Sequence, residues 1–119
     1  MYKTIKINRG KTGWGGPLVI TPTDKCHTVL SVTGGGIDQK IAELTGGEAV
    51  DGWKTNLPDD EVMVAVVDCG GTARCGVYPK KGIYTVNLTP VGQSGPLAQF
   101  ITEDIYVSDV KVDDIEVLG

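Results

Sequence analysis

The residues with the clearest chemical potential lie in one short segment. Cys69 is followed directly by Gly70 and Gly71, then by Thr72 and Arg74. Backbone N–H groups of successive glycines can form a concave nest for an anion, a hydroxyl can donate to it, and a guanidinium can bind two phosphate oxygens. Positive surroundings also lower the pKa of a thiol and favour its nucleophilic thiolate. The segment therefore predicts a phosphate-binding loop with Cys69 as the nucleophile.

The elements before and after this segment bear on the same chemistry. The continuous apolar run Val62 to Val67 is typical of a buried central strand, and ligand crevices of open α/β sheets lie at the carboxyl ends of such strands. Asp68 would oppose a thiolate if it faced the same way as Cys69, but alternation along a strand predicts that it points elsewhere. Lys80 and Lys81 add positive charge there if the turn that carries them folds back.

Alternative interpretations of the two nearby cysteines stay open. Cysteine-type phosphatases use Cys-x5-Arg, whereas Cys69 and Arg74 give Cys-x4-Arg and Cys75 occupies the arginine position. There are three further hypotheses. Cys69 is a buried cysteine before a glycine turn, Cys69 and Cys75 have a redox role, or Cys75 is the nucleophile. The residue types alone do not choose among them.

A second glycine run, Gly34 to Gly36, precedes a helical pattern. It lacks the third glycine of a dinucleotide-binding loop, because Gln39 stands at that position. A plain turn is the simplest interpretation. The alternative hypothesis is that this helix start lies beside the Cys69 loop and helps to bind phosphate.

Composition excludes several classes of partner and cofactor. The 119 residues carry a net charge of −4 at pH 7, and without a basic run this argues against nucleic acid. No apolar stretch approaches the ~20 residues that span a bilayer, and the start does not resemble a signal peptide, so we expect a cytoplasmic domain. We expect no cofactor and no metal site, because Cys69 and Cys75 are too far apart for a zinc knuckle and His27 adjoins the distant Cys26.

The periodicity predicts a single α/β domain over residues 1–119, with α+β possible, built from a mixed β-sheet and a few short flanking helices. A short amphipathic helix is expected over 37–44 and a second helix over 96–103, opened by Pro96. Residues 48–57 are ambiguous. Strands are predicted at 2–8, 18–21, 27–32, 62–67 and 83–88, and late strands or strand-like tails at 105–107 and 115–118.

The sequence resembles the N-terminal IIB domain of the glucitol/sorbitol-specific enzyme II of the bacterial phosphoenolpyruvate-dependent sugar phosphotransferase system. The matching segments spread over nearly the whole chain. They are Gly13-Trp14-Gly15-Gly16-Pro17-Leu18, Leu44-Thr45-Gly46, Ala49-Val50-Asp51-Gly52, Asp68-Cys69-Gly70-Gly71-Thr72, Arg74-Cys75-Gly76-Val77-Tyr78-Pro79-Lys80, and Ser94-Gly95-Pro96-Leu97-Ala98-Gln99 with Glu103-Asp104-Ile105-Tyr106-Val107-Ser108.

This resemblance implies a phosphocarrier. The domain would accept a phosphoryl group from a histidine of the IIA component, hold it as phosphocysteine, and pass it to sorbitol bound by the membrane-embedded IIC component. Other IIB domains place their cysteine after a strand and before a small-residue loop, which supports Cys69 over Cys75. The family's domain is normally fused to membrane segments that this chain lacks, so we expect an excised domain or a free-standing subunit at the inner face of the membrane. A non-catalytic docking module and a phosphatase are the alternative functions.

Overall fold

The structure is a computed structural model that describes residues 2–32, 36–51, 58–68, 74–93, 95 and 97–118, with the backbone alone at 59, 74 and 75. Its strands form a three-stranded antiparallel sheet and a five-stranded parallel sheet. The elements in chain order are β1 Ile5–Ile7, β2 Leu18–Ile20, β3 Thr28–Ser31, α1 Ile37–Thr45, β4 Glu48–Asp51, β5 Val62–Val67, α2 Arg74–Lys80, β6 Tyr84–Asn87, β7 Tyr106–Ser108 and β8 Ile115–Val117.

The parallel sheet has the strand order β4-β3-β5-β6-β7, with β5 at its centre. All six residues of β5 are buried, as expected for a strand covered on both faces. From β3 the chain passes through α1 to β4 on one side, then returns to place β5 on the other side of β3. The direction in which successive strands are added to the sheet therefore reverses between β3 and β5.

The two faces of the parallel sheet are covered by different elements. Val64 and Val66 join one hydrophobic cluster with Ile41 of α1 and with apolar residues of the antiparallel sheet, whose strand order is β2-β1-β8. Ala65 and Val67 lie in two other clusters, and Tyr78 of α2 packs against both. The core thus consists of three layers with the parallel sheet in the middle, and it holds the carboxyl end of β5 from both sides.

The predicted α/β class and the first helix are confirmed, and parallel and antiparallel strands are both present. The helix predicted over 96–103 is wrong: only Ala98–Phe100 form a turn of 3-10 helix, and Ile101 is already extended. Ile101 is fully buried in the cluster that contains Tyr106, so the chain must straighten there to reach β7. Residues 48–57, for which the sequence predicted no definite element, supply β4 at Glu48–Asp51, and residues 52–57 lie outside the described part of the chain.

Helix α2 was not predicted, because its Gly76 and Pro79 are both poor helix formers. The parallel pairing of β5 with β6 nevertheless requires a crossover connection, which α2 provides. Gly76 also has a packing role: a Cβ there would lie 2.4 Å from the Cβ of Leu97 and 2.7 Å from its carbonyl oxygen. Close packing of α2 on the segment before β7 therefore requires glycine at this position.

Candidate functional site

The candidate site lies at the carboxyl ends of β3 and β5, where the strand order reverses. These strands pair in parallel, and the backbone N–H of Val32 donates to the carbonyl of Val66 at 2.9 Å just beyond β3. In open α/β sheets, ligands bind outside the carboxyl ends of the strands at such a reversal, because the connections leave in opposite directions and open a crevice. The sequence predicted a ligand site at this edge of the sheet, where β5 ends, and ligand binding there stays a prediction.

The central strand leads directly to the predicted nucleophile. Val67 is fully buried as the last residue of β5, and Asp68, the next residue, is exposed. Cys69, Gly70, Gly71 and Thr72 lie outside the described residues, so their arrangement stays a prediction. Arg74 is the first residue of α2, but its side chain, like that of Cys75, is outside the described part. The described backbone resumes at α2, on the crossover from β5 to β6.

The second glycine run follows the neighbouring strand. Residues 33–35 lie outside the described part, and Gly36 precedes α1 with a φ of 87°. This left-handed conformation is one that glycine adopts without steric cost. Because β3 adjoins β5, Val32 and Asp68 begin their loops from neighbouring strands at one edge of the sheet. This adjacency is what the hypothesis of a shared phosphate site requires, and the binding role itself stays a prediction.

Lys80 and Lys81 do not lie on this edge, contrary to the conditional expectation that their turn folds back. Helix α2 carries the chain away from the carboxyl edge toward the start of β6. Lys80 lies at the end of α2 with its ammonium 5.6 Å from the centre of the Phe100 ring. Lys81 lines a cavity with Tyr84 at the amino ends of the parallel strands.

A chain of polar contacts runs from the carboxyl ends of β5 and β6 to the hydroxyl of Tyr106, the first residue of β7, and was not predicted from the sequence. The Thr89 hydroxyl donates to the carboxylate of Asp68, and the Thr89 N–H donates to Oδ1 of Asn87 at 3.0 Å. Nδ2 of Asn87 donates to the Tyr106 hydroxyl at 2.9 Å, which donates in turn to the carbonyl of Val91 at 2.6 Å. We call these contacts the Asn87 network. A sequence signal existed: Asn87 is polar within an otherwise β-type segment.

The Asn87 network is anchored in the interior. Asn87 and Tyr106 are both 0% exposed. Burial raises the pKa of the Tyr106 hydroxyl, so the phenol stays protonated and remains a donor at neutral pH. The centroids of the Trp14 and Tyr106 rings are 6.1 Å apart, and the backbone N–H of Trp14 donates a hydrogen bond of 2.8 Å to Oγ of Ser108. The glycine-rich loop over residues 10–17, which carries Trp14, thus packs against β7, the outermost strand of the parallel sheet, beside the Asn87 network.

Within the described ranges, no group of three or more His, Cys, Asp or Glu side chains is arranged to hold a metal ion. Neither of the described helices is long and apolar enough to cross a membrane.

The strands and helices define an α/β domain, and comparison with known proteins gives its family. A sequence model described as "Sorbitol phosphotransferase enzyme II N-terminus" matches residues 4–119. The chain is 52% identical over 118 residues to a Clostridium beijerinckii protein named "PTS system glucitol/sorbitol-specific EIIB component". This alignment covers 96% of the chain but 35% of the relative, so the chain spans about a third of that relative's length. No solved structure matches the chain.

The chain therefore belongs to the family of sorbitol phosphotransferase enzyme II N-terminal domains. The resemblance inferred from its motifs is confirmed, and the match extends over nearly the whole chain.

Proposed function

We propose that this domain is a phosphocarrier of a sorbitol phosphotransferase system and that Cys69 carries the phosphoryl group. The observation that carries the proposal is the position of β5. This buried strand ends at Val67 on the carboxyl edge of the sheet, beside the reversal of strand order, and Cys69 is the second residue after it. Membership of the family supports the same role.

The transfer consists of two displacements at phosphorus. The Cys69 thiolate attacks the phosphohistidine of the IIA component: a P–S bond forms, the P–N bond breaks, and its electron pair returns to the imidazole, which takes up a proton. A hydroxyl of sorbitol bound by the IIC component then attacks the phosphocysteine. A P–O bond forms, the P–S bond breaks, the thiolate leaves, and the hydroxyl proton is lost. The product is sorbitol 6-phosphate.

The loop after Cys69 supplies the groups that this chemistry needs. Phosphoryl transfer depends mainly on positioning and on neutralisation of charge. In the proposed site the backbone N–H groups of Gly70 and Gly71, the hydroxyl of Thr72 and the guanidinium of Arg74 bind the phosphoryl oxygens. The same donors favour the thiolate of Cys69. The domain itself needs no cofactor for either step.

The proposal is tested by phosphorylation in the complete system. The chain is incubated with phosphoenolpyruvate, the general phosphotransferase proteins and the cognate IIA component, and its intact mass and modified peptide are then determined. We expect one added phosphoryl group that is lost with Cys69→Ser and retained with Cys75→Ser. Cys26→Ser is the matched control, because Cys26 precedes β3 at the opposite edge of the sheet.

The other outcomes are informative as well. Loss of the phosphoryl group with Cys75→Ser alone would keep the carrier function and move the nucleophile. No gain in mass, under conditions in which IIA is itself phosphorylated, would contradict the carrier function and favour a docking module. Turnover of a small aryl phosphate by the isolated chain would instead indicate a phosphatase.

A further inference from the structure

We propose that Thr89 is a positioning residue for the Cys69 loop: its hydroxyl holds the Asp68 carboxylate toward β6, which limits how closely this charge can approach the thiol of the next residue. The inference rests on the proposed role of Cys69. It goes beyond that role, because it assigns a task to a residue outside the loop, twenty positions further along the chain.

The contact between the two residues joins the ends of neighbouring strands. Pairing of β5 with β6 continues past the strands themselves, since the N–H of Leu88 donates to the carbonyl of Val67 at 2.9 Å. The next residue on each strand is then Asp68 and Thr89, and the Thr89 hydroxyl donates to Oδ1 of Asp68. The hydrogen bond thus fixes the first side chain of the loop that leaves β5.

Thr89 can direct Asp68 because Thr89 is itself held from the interior. Its N–H donates to Oδ1 of Asn87 at 3.0 Å, and this fixes the turn after β6. Asn87 is fully buried and bonded to the equally buried Tyr106. Buried polar groups with satisfied hydrogen bonds are rigid, and this rigidity extends through Thr89 to the exposed carboxylate of Asp68.

Control of this carboxylate matters for both steps of the transfer. Consecutive Cα atoms are about 3.8 Å apart, so a freely rotating Asp68 side chain can approach the thiol of the next residue. A negative charge within ~4–6 Å disfavours a thiolate and also repels an incoming phosphoryl group. A hydrogen bond that keeps the carboxylate toward β6 restricts this approach and so limits both penalties.

The test measures how the alkylation of each cysteine by iodoacetamide depends on pH, with mass spectrometry to separate the sites. Thr89→Val removes the hydroxyl with little change in shape, whereas Thr89→Ser retains it. Thr102→Val is the matched control. Thr102 also donates from its hydroxyl to an exposed carboxylate, that of Asp104, but lies before β7 at the opposite edge of the sheet. Cys26 is an internal reference in every sample.

We expect Thr89→Val to raise the midpoint of Cys69 alkylation by about one pH unit and to slow phosphorylation by phospho-IIA, while Cys26 is unchanged. Thr89→Ser and Thr102→Val should behave like the wild type. Adding Asp68→Asn to Thr89→Val should return the midpoint to the wild-type value, because the repelling charge is gone. This last result separates control of charge from a loss of structure.

Two results would overturn the assignment: a Cys69 midpoint that does not move in Thr89→Val, or a shift that persists when Asp68 is also replaced. Either is distinct from a failure of the proposed function, which would appear as a wild-type chain that phospho-IIA does not phosphorylate. The alkylation profile needs no phosphodonor, so it reports on Thr89 in both cases.

Discussion

Several polar side chains at the two ends of the parallel sheet differ in how deeply they are buried. At the carboxyl ends, Asn87, Ser108 and Asp109 are all buried or nearly so, and each is hydrogen-bonded. At the amino ends, the ion pair of Lys25 with Asp60 leaves its two side chains 70% and 64% exposed. The cavity at this end, with a volume of about 630 Å³, is also open to solvent at its rim, where Tyr84 is 37% exposed.

This difference shows where the fold specifies geometry. A buried polar group must keep its partner, because an unsatisfied donor or acceptor in the interior is costly. At the amino ends, the exposed ion pair of Lys25 with Asp60 can exchange its partners for water at little cost. The described residues of the carboxyl edge are therefore held in one arrangement, as the proposed site for group transfer requires, while the amino edge tolerates rearrangement. Three substitutions test this contrast, from the largest expected effect to the smallest.

Replacing Gly10 should have the largest effect on stability. A Cβ there would lie 1.8 Å from the carbonyl oxygen of Asp109 and 2.5 Å from its Oδ2, so the glycine loop could no longer approach the end of β7. We expect Gly10→Ala to lower the free energy of unfolding by about 3 kcal/mol in urea titrations.

Gly82→Ala is the matched control at the amino edge. Gly82 has a φ of 79° and nothing within 4 Å of a Cβ, so only the backbone conformation is penalised. That penalty is about 1 kcal/mol. Equal losses for Gly10→Ala and Gly82→Ala would show that the loop does not pack tightly on the carboxyl edge.

Replacing Asn87 should have the next largest effect. Asn87→Leu removes the acceptor for the Thr89 N–H and the donor to Tyr106, and we expect a loss of about 2 kcal/mol. Thr85→Val is the control on the same strand. Thr85 is equally buried, but its hydroxyl donates only locally, to the carbonyl of Ile83 at 3.0 Å, so the loss should stay below about 1 kcal/mol. A smaller loss for Asn87→Leu than for Thr85→Val in urea titrations would contradict a stabilising Asn87 network.

The same residues show how far the sequence predicts this molecule. The apolar run of β5 and the period of α1 are local patterns, so these elements and the edge that precedes Cys69 were predicted. The bond between Asp68 and Thr89 was not, because it joins residues 21 positions apart and depends on which strands are neighbours. Helix α2 was missed for a related reason: Gly76 and Pro79 oppose a helix locally, and the parallel pairing of β5 with β6 overrides that preference.

The smallest effect, and the one most specific to the carboxyl edge, is a dependence of stability on pH from Asp109. Hydrogen bonds from Lys111 and then from Thr12 hold the pKa of this carboxyl at about 2, below its ordinary value of 3.8. A depressed pKa in the folded state stabilises the fold above the unfolded pKa, and this contribution is lost as pH falls from about 4 toward 2. Asn accepts the left-handed backbone that Asp109 adopts at a φ of 59°, so Asp109→Asn removes the charge without adding strain.

Asp60→Asn provides the comparison, because Asp60 also pairs with a lysine, at 2.7 Å against 2.8 Å for Asp109 with Lys111. The Asp109 side chain is only 9% exposed, whereas that of Asp60 is 64% exposed and well screened by water. Urea midpoints measured at pH 7, 4 and 2.5 should show Asp109→Asn below the wild type at pH 7 and converging with it at the lowest pH. The curve for Asp60→Asn should follow the wild type throughout. If the two variants lose stability equally and with the same dependence on pH, burial does not distinguish the two carboxylates, and the contrast between the two edges does not extend to their charges.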